Sequence, residues 1–210
     1  MTALLDAAAP LFAIAFALWG GTVTWLELVA FVMAVAMVMY NIRVNPWGWP
    51  LAIASSLLYF LLFWKSRLYG DASLQIFFAL IAGWGWWQWL LGTDSAGEKL
   101  HVRELSPRHR WLALGTLAFA WPAMAFFLRR FTDTDVPWWD AFPTAASVIG
   151  QYLLGRKYVE NWPTWIAVNV VATALFAYKG LALTAVLYAV FVAMSIFGWR
   201  RWQRMLVAAP

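Results

Sequence analysis

Residues 161–179 read NWPTWIAVNVVATALFAYK, a stretch that opens on a motif rich in Trp and continues as an apolar run over residues 162–179. No Asp, Glu, Lys, Arg or His occurs from residue 162 to residue 178. An α-helix rises about 1.5 Å per residue, so about 20 residues cross the roughly 30 Å hydrocarbon core of a bilayer. The stretch therefore predicts a transmembrane helix that begins at the motif.

Six further apolar runs of similar length flank this stretch, and charged residues, Gly or Pro separate each run from the next. They cover residues 24–42, 47–64, 71–91, 110–129, 138–155 and 181–199. Hydrophobic residues make up 64% of the chain and charged residues only 12%, against about 25% charged in an average soluble domain. We therefore expect an all-α integral membrane protein with about seven transmembrane helices and no separate soluble domain.

A shorter apolar run, at residues 10–21, begins with Pro10 and ends with two glycines. The segment before it carries Asp6 but no Lys or Arg, which argues against a secretory signal peptide. We predict that residues 1–22 form a short N-terminal interfacial helix. The sequence leaves open whether residues 10–21 cross the membrane.

The distribution of basic residues predicts the orientation of the seven spans. Ten Lys and Arg residues fall on the side that carries residues 92–110 and the C-terminus, and five fall on the other side. Lys and Arg accumulate in cytoplasmic loops. We therefore expect the C-terminus in the cytoplasm.

The motif at the start of the quoted stretch has a counterpart earlier in the chain. NPWGW at residues 45–49 and NWPTW at residues 161–165 both read N-x-x-x-W, and GWWQW at 85–89 resembles GWRRW at 198–202. The two blocks differ in length by three residues, so a three-residue gap aligns them. Two motifs that recur in the same order predict an internal repeat, with Trp49 opposite Trp165 and Gln75 opposite Tyr188.

One linker helix between two three-helix repeats gives both repeats the same orientation, so we predict a parallel repeat of three, one and three helices. The predicted segments are a first repeat at 23–91, a polar loop and linker helix at 92–131, a second repeat at 132–204 and a tail at 205–210. Glu27 and Asp140 fall near the starts of the first helix of each repeat. We expect them to cap helix ends rather than to bind substrate.

The stretch RKYVENW at residues 156–162, continuing through Trp165 to Asn169, resembles the nicotinamide riboside transporters of the PnuC type. The resemblance extends over residues 24–202 and is supported by Trp139-Asp140, by the segment from Leu68 to Gln75 and by the GWxxW box at residues 85–89. It implies a fold similar to the SWEET sugar transporters, in the bacterial inner membrane. It also implies facilitated diffusion of nicotinamide riboside, which cytoplasmic phosphorylation then traps. Related vitamin transporters, for example for thiamine, share much of this pattern, which leaves the substrate open.

Each of the seven predicted spans contains a long stretch without any ionisable side chain. Ion-coupled transporters keep such side chains in the membrane as proton relays or ion ligands, so the residues themselves favour passive uniport. We expect no enzyme activity, no metal and no cofactor. The chain has no Cys, and its only histidines, His101 and His109, lie in the polar linker.

Neutral polar side chains within the spans are the candidate substrate contacts. Asn161, Trp165 and Asn169 recur every four residues and therefore line one face of a helix. A Trp ring attracts a cationic ring placed over its face, and Asn and Gln amides pair with carboxamide and hydroxyl groups. The predicted substrate-binding residues are Trp165, Asn169, Gln75, Gln88, Trp86, Tyr188, Asn161, Thr144 and Ser147.

Structural roles are the alternative for the amides, because Asn and Gln also join membrane helices by hydrogen bonds. For the whole chain, the alternatives are a transporter of another vitamin, such as thiamine, and an intramembrane protein that transports nothing. The net charge of +5 fits cytoplasmic basic loops rather than nucleic acid. The expected partners are a small-molecule substrate and the lipid bilayer, and the sequence leaves a homo-oligomer open.

Overall fold

The computed structural model describes residues 9–18, 21–65, 69–94, 96–132, 134–178 and 182–207. In this part of the chain, seven α-helices coincide with the seven apolar runs. Their bounds are α1 Trp25–Ile42, α2 Gly48–Lys65, α3 Tyr69–Leu91, α4 Pro107–Phe131, α5 Pro137–Gly155, α6 Asn161–Tyr178 and α7 Ala182–Val207. The residues that separate the runs also delimit the helices. Both α4 and α5, for example, begin at a Pro, which suits the first helical turn.

Three of the described helices are long and apolar enough to cross a membrane on their own composition. Trp25–Ile42 has a mean hydropathy of 1.9, Leu74–Leu91 of 1.2 and Pro107–Phe131 of 1.7, and Gly48–Leu62 is a shorter apolar helix. α5 and α6 are less apolar because Pro, Thr, Asn and Trp occur along them. Those two helices carry five of the predicted substrate contacts.

The predicted N-terminal helix is wrong. Ala9–Phe12 form a 3-10 turn, and a hairpin follows in which β1, Ile14–Leu18, pairs antiparallel with β2, Gly21–Thr24. The β-branched residues of β2 favour an extended backbone. An isolated helix as short as the apolar run is also marginal in stability. Residues 1–8 and 19–20 of the predicted segment lie outside the described residues.

Two carboxylates accept hydrogen bonds at the starts of the helices that begin the predicted repeats. The Thr24 hydroxyl accepts a hydrogen bond from the Glu27 N–H, and the Thr24 N–H donates to the Glu27 carboxylate at 2.7 Å. This reciprocal pair satisfies two backbone groups at the start of α1. Asp140, in the first turn of α5, accepts a hydrogen bond from the Thr134 hydroxyl. Glu27 therefore caps its helix as expected, whereas no side-chain hydrogen bond caps the described start of α5, where Asp140 binds a residue of the preceding loop.

The chain divides into two compact units, Met1–Leu90 and Leu91–Pro210. In the first unit, α1 packs along α2. In the second unit, α4 packs on α5, α5 on α6 and α6 on α7. The linker helix α4 therefore belongs to the second unit.

A glycine and two Trp rings join α2 to α3 in the first unit. The Trp49 and Trp89 rings meet edge to face, with centroids 5.5 Å apart and planes at 86°. A Cβ added at Gly85 would collide with the Trp49 indole, which is 1% exposed. We call these three residues the first Trp clasp, and its glycine allows the indole of α2 to touch the backbone of α3.

The second unit contains the same arrangement between α6 and α7. Trp162 and Trp202 meet with centroids 5.5 Å apart and planes at 88°, and a Cβ added at Gly198 would collide with Trp162. Each member of this second Trp clasp lies 113 positions after its counterpart. The backbone agrees, because the two non-glycine residues with positive φ among those described, Val44 at 55° and Lys157 at 57°, are also 113 positions apart.

The repeat therefore runs without a gap, and the predicted three-residue gap is wrong. Trp49 matches Trp162 and not Trp165. The signal that the two units share is the dipeptide Trp-Pro at the start of α2 and of α6, whereas the N-x-x-x-W match joins residues that are not equivalent. Gln75 still corresponds to Tyr188, since they too are 113 positions apart.

Gly85→Ala should destabilise the protein by about 1–2 kcal/mol, because the added methyl group displaces the closely packed Trp49 ring. Gly83, two residues earlier in α3, is a matched control, since a Cβ added there meets nothing within 4 Å. Ala also favours a helix over Gly. Thermal melting of the detergent-purified variants should show a lower Tm for Gly85→Ala only. Equal Tm values for the two variants would contradict the packing role of the clasp.

Candidate functional site

The face predicted on α6 lies in the second unit, where α6 packs against both α5 and α7. Its three residues differ in burial: Asn161 is 0% exposed, Trp165 is half-buried and Asn169 is 5% exposed. Asn169 is the ninth of the 18 residues of α6, about 12 Å along the helix from Asn161. The face thus runs from the end of the helix to its middle.

The Asn161 side chain stabilises the turn at the start of α6. Its side-chain amide donates to the backbone carbonyl of Tyr158 at 2.6 Å, within the turn that precedes the helix. Together with its complete burial, this bond favours a structural role. We therefore leave Asn161 out of the contacts proposed below.

Trp165 rests against α5. A Cβ added at Gly150 would lie 3.1 Å from Cε2 and 3.4 Å from Cζ2 of the indole, so the glycine makes room for this edge of the ring. None of the aromatic pairs found among the described residues includes Trp165. Its half-buried indole is therefore available to a flat ligand ring, whereas Trp162, on the preceding turn, is part of the second Trp clasp.

Asn169 joins α6 to α7. Its Nδ2 donates to the hydroxyl oxygen of Ser195 at 3.4 Å, and both side chains are buried. This is the kind of hydrogen bond that the structural alternative predicts. The carbonyl oxygen Oδ1 of Asn169 has no hydrogen-bond partner within the described part of the chain, and it is not among the polar atoms sealed from solvent. The amide can therefore join two helices and still accept a hydrogen bond from a ligand.

Three other predicted contacts lie on the helices beside α6. The Thr144 hydroxyl on α5 donates to the backbone carbonyl of Asp140 at 2.9 Å, which leaves its oxygen as an acceptor. Ser147, one turn further along α5, is 9% exposed. Tyr188 on α7 packs its ring on Phe176 with centroids 5.0 Å apart. These side chains contribute hydroxyl groups and an aromatic surface to the second unit.

The first unit carries the remaining predicted contacts, Gln75, Gln88 and Trp86, all on α3. Gln88 is buried, Gln75 is half-buried and Trp86 is 37% exposed. The GWxxW box that contains Trp86 owes its pattern to packing, because its first and last residues, Gly85 and Trp89, belong to the first Trp clasp.

Comparing residues 113 positions apart shows which side chains the two units share and which occur in one unit only. The clasp residues are identical in both units. The polar face of the second unit instead has mostly apolar counterparts 113 positions earlier: Ala52 for Trp165, Ser56 for Asn169, Ala82 for Ser195, Phe31 for Thr144 and Ala34 for Ser147. Because the first unit builds the same framework without these groups, packing alone does not require them. The second unit therefore holds the better candidates for ligand contacts.

Sequence reasoning did not select Ser195 or Gly150 as members of the site. Neither stands out locally, since a single Ser or Gly within an apolar helix is common in membranes. The comparison of Ser195 with Ala82 in the gapless register is the signal that marks it as specific to the second unit.

The RKYVENW stretch forms the turn between α5 and α6 and binds the polar loop. The Arg103 N–H donates to the Lys157 carbonyl at 3.1 Å, and the Val159 N–H donates to the Arg103 carbonyl at 2.9 Å. The buried Lys157 ammonium donates to the Leu100 carbonyl at 2.8 Å. Burial lowers the pKa of Lys157 below its ordinary value. These contacts give Lys157 a structural function.

Glu160 completes this connection. Both of its oxygens accept from the Leu105 N–H at 3.1 Å, and one accepts from the Arg110 Nε at 2.8 Å. The carboxylate therefore holds the start of α4 to the start of α6.

Glu160→Ala should destabilise the protein by about 1.5–3 kcal/mol, since it removes charge-assisted hydrogen bonds and leaves the Leu105 N–H without its acceptor. Glu104→Ala is the matched control, because Glu104 binds the same Arg110 at 3.0 Å but from an exposed position. Thermal melting should separate the two variants, with the larger decrease for Glu160→Ala. The structural role is wrong if both lower the Tm equally.

The nicotinamide mononucleotide transporter family matches residues 24–204. The riboflavin/roseoflavin transporter RibM of Streptomyces davaonensis is 28% identical over 190 residues, which are 90% of this chain and 89% of RibM. The nicotinamide riboside transporter PnuC of Escherichia coli is 27% identical over 169 residues, with 69% of this chain and 71% of PnuC covered.

A solved structure supports the fold. The crystal structure of the vitamin B3 transporter PnuC matches with a TM-score of 0.69 at 21% identity, covering 89% of this chain and 83% of that chain. At this identity the likeness concerns the arrangement of the backbone and not the ligand.

Proposed function

Because the chain belongs to the PnuC family of nicotinamide mononucleotide transporters, we propose that its substrate is nicotinamide riboside and that it works in the bacterial inner membrane. It is a membrane transporter of the PnuC and RibM type. Membership of the family fixes the class of activity, and the side chains of the second unit support the choice of substrate.

The observation that carries the proposal is the pair of Trp165 and Asn169 on successive turns of α6. The first offers a half-buried indole and the second a carbonyl oxygen that has no hydrogen-bond partner among the described residues. A pyridinium ring over the indole gains cation–π attraction, and a carboxamide N–H can donate to the carbonyl oxygen. Nicotinamide riboside carries both groups. The further contacts we propose are Ser147, Thr144, Tyr188, Gln75, Gln88 and Trp86.

The transport mode we propose is facilitated diffusion. The predicted spans contain long stretches without Asp, Glu, Lys, Arg or His, so no such side chain is available there to relay protons or to bind a coupling ion. Cytoplasmic phosphorylation would then trap the substrate. The proposed arrangement is seven spans as three, one and three helices in a SWEET-like parallel repeat, with the C-terminus in the cytoplasm.

Riboflavin is the second candidate substrate. RibM, a riboflavin/roseoflavin transporter, matches 90% of this chain, against 69% for PnuC of Escherichia coli, at similar identity. Riboflavin also has a flat ring system, an N–H donor and hydroxyl groups, and so could use the same two residues. It lacks the positive charge that favours a site over the face of Trp165.

Calorimetric titration of the purified protein with each vitamin separates the two candidates. We expect saturable binding of nicotinamide riboside that an equal concentration of riboflavin does not displace. Binding of riboflavin alone would replace the first substrate by the second. Binding of neither compound would contradict both.

A further inference from the structure

A hydrogen bond to Ser195 occupies the NH2 group of the Asn169 side chain. It links residues 26 positions apart on α6 and α7, both nearly fully buried, with Nδ2 as the donor and Oγ as the acceptor. The Thr173 hydroxyl donates to the backbone carbonyl of Asn169 at 2.7 Å, so the backbone oxygen is occupied as well. No described residue donates to the side-chain carbonyl, which can therefore accept another hydrogen bond.

We infer that Ser195 is a positioning residue that keeps the Asn169 carbonyl oxygen, rather than its NH2 group, turned toward the substrate. The site then selects a substrate that donates a hydrogen bond at this point and rejects one that presents only an acceptor. The inference rests on the proposed function, because it takes Asn169 to be a substrate contact.

Comparison of the two units supports a role beyond packing. The counterparts of Asn169 and Ser195 in the first unit are Ser56 and Ala82, which cannot form the same amide-to-hydroxyl hydrogen bond. The first unit nevertheless forms the same Trp clasp between the corresponding helices. The framework is thus built without an Asn–Ser pair, and the second unit alone carries one.

Two closely related nucleosides differ in the group that would meet the Asn169 side chain. Nicotinamide riboside has a carboxamide, whose NH2 group can donate to the Asn169 oxygen. Nicotinic acid riboside has a carboxylate at the same position, which can only accept. With the amide held by Ser195, the carboxylate would face the Asn169 oxygen without a donor between them. Without Ser195, the amide can turn over and offer its NH2 group to the carboxylate.

The test compares Ser195→Ala with Ser55→Ala. Ser55 is a matched control, since it is a buried serine whose hydroxyl donates to the Ala30 carbonyl at 3.2 Å in the first unit. Calorimetry on the purified wild type and both variants gives the Kd for nicotinamide riboside and for nicotinic acid riboside. Thermal melting of each variant without ligand reports the purely structural cost of losing a buried hydroxyl.

We expect the wild type to prefer nicotinamide riboside by at least about 5-fold, the cost of one unpaired buried group. Ser195→Ala should reduce this preference to about 2-fold or less, and Ser55→Ala should leave it unchanged. An unchanged preference in Ser195→Ala, or no preference in the wild type, would overturn the inference while leaving the substrate intact. A wild type that binds neither compound would overturn the proposed substrate itself.

Discussion

Asn169→Ala should weaken the binding of nicotinamide riboside by roughly 5- to 150-fold. The substitution removes the carbonyl oxygen proposed to accept from the substrate carboxamide, at a position 5% exposed near the middle of α6. Leaving a buried polar group of the ligand without its partner costs about 1–3 kcal/mol, and about 1.4 kcal/mol corresponds to a factor of ten. Isothermal titration calorimetry on the purified variant measures the change directly.

Thr173→Ala is the control on the same helix. Its hydroxyl donates to the backbone carbonyl of Asn169, one turn away, so its loss disturbs α6 locally without removing the proposed ligand contact. The affinity of this variant should stay within about twofold of the wild type. Wild-type affinity in Asn169→Ala, with the fold preserved by thermal melting, would remove Asn169 from the site.

Trp165→Ala should have an effect of similar size, a loss of roughly 30-fold in affinity. A cation over a desolvated indole gains about 2 kcal/mol, which corresponds to that factor. Trp165→Phe, which keeps an aromatic face but a poorer one, should retain part of the affinity. Trp165→Phe should melt close to the wild type, because the ring is not part of either Trp clasp. Trp165→Ala should melt somewhat lower, because it also removes the contact of the indole with α5 at Gly150.

Trp111→Ala is the control for a general effect of losing an indole. Trp111 lies on α4 and is 74% exposed, so its removal should leave the affinity unchanged. Equal losses in Trp165→Ala and Trp111→Ala would show that the change in affinity does not report a ring stacked on Trp165.

The positions of the helices could be predicted from the sequence, because the same residues that interrupt the apolar runs also end helices. Pro107 and Pro137, for example, start α4 and α5. The N-terminal run could not be assigned in the same way. Its length does not distinguish a short helix from two strands, and the antiparallel pairing with residues 21–24 decides the outcome.

The internal repeat could be recognised from its Trp and Gly residues, but its register could not. The shared N-x-x-x-W pattern predicts Trp165 as the counterpart of Trp49. The contacts with Gly198 and Trp202 show that the counterpart is Trp162. A motif in a sequence does not record which face of a helix each residue occupies. The clasp geometry supplies that information.

Some features of the candidate site could be predicted from the sequence, and others depend on how the helices pack. The spacing of Trp165 and Asn169 follows from helical periodicity and could be predicted. The bond from Asn169 to Ser195 could not, since it depends on how α6 and α7 pack. The hydrogen bond of Asn161 could not be predicted either, because its acceptor is a backbone carbonyl in the preceding turn.

Uptake of labelled nicotinamide riboside by proteoliposomes tests the proposed passive transport most directly. The internal concentration should rise faster than in protein-free liposomes, stop at the external concentration, and follow the same course with or without proton and sodium gradients. Trp165→Ala and Asn169→Ala should slow the uptake at low substrate concentration. No uptake above the protein-free control would contradict the proposed substrate, and accumulation above the external concentration without a trapping enzyme would contradict facilitated diffusion.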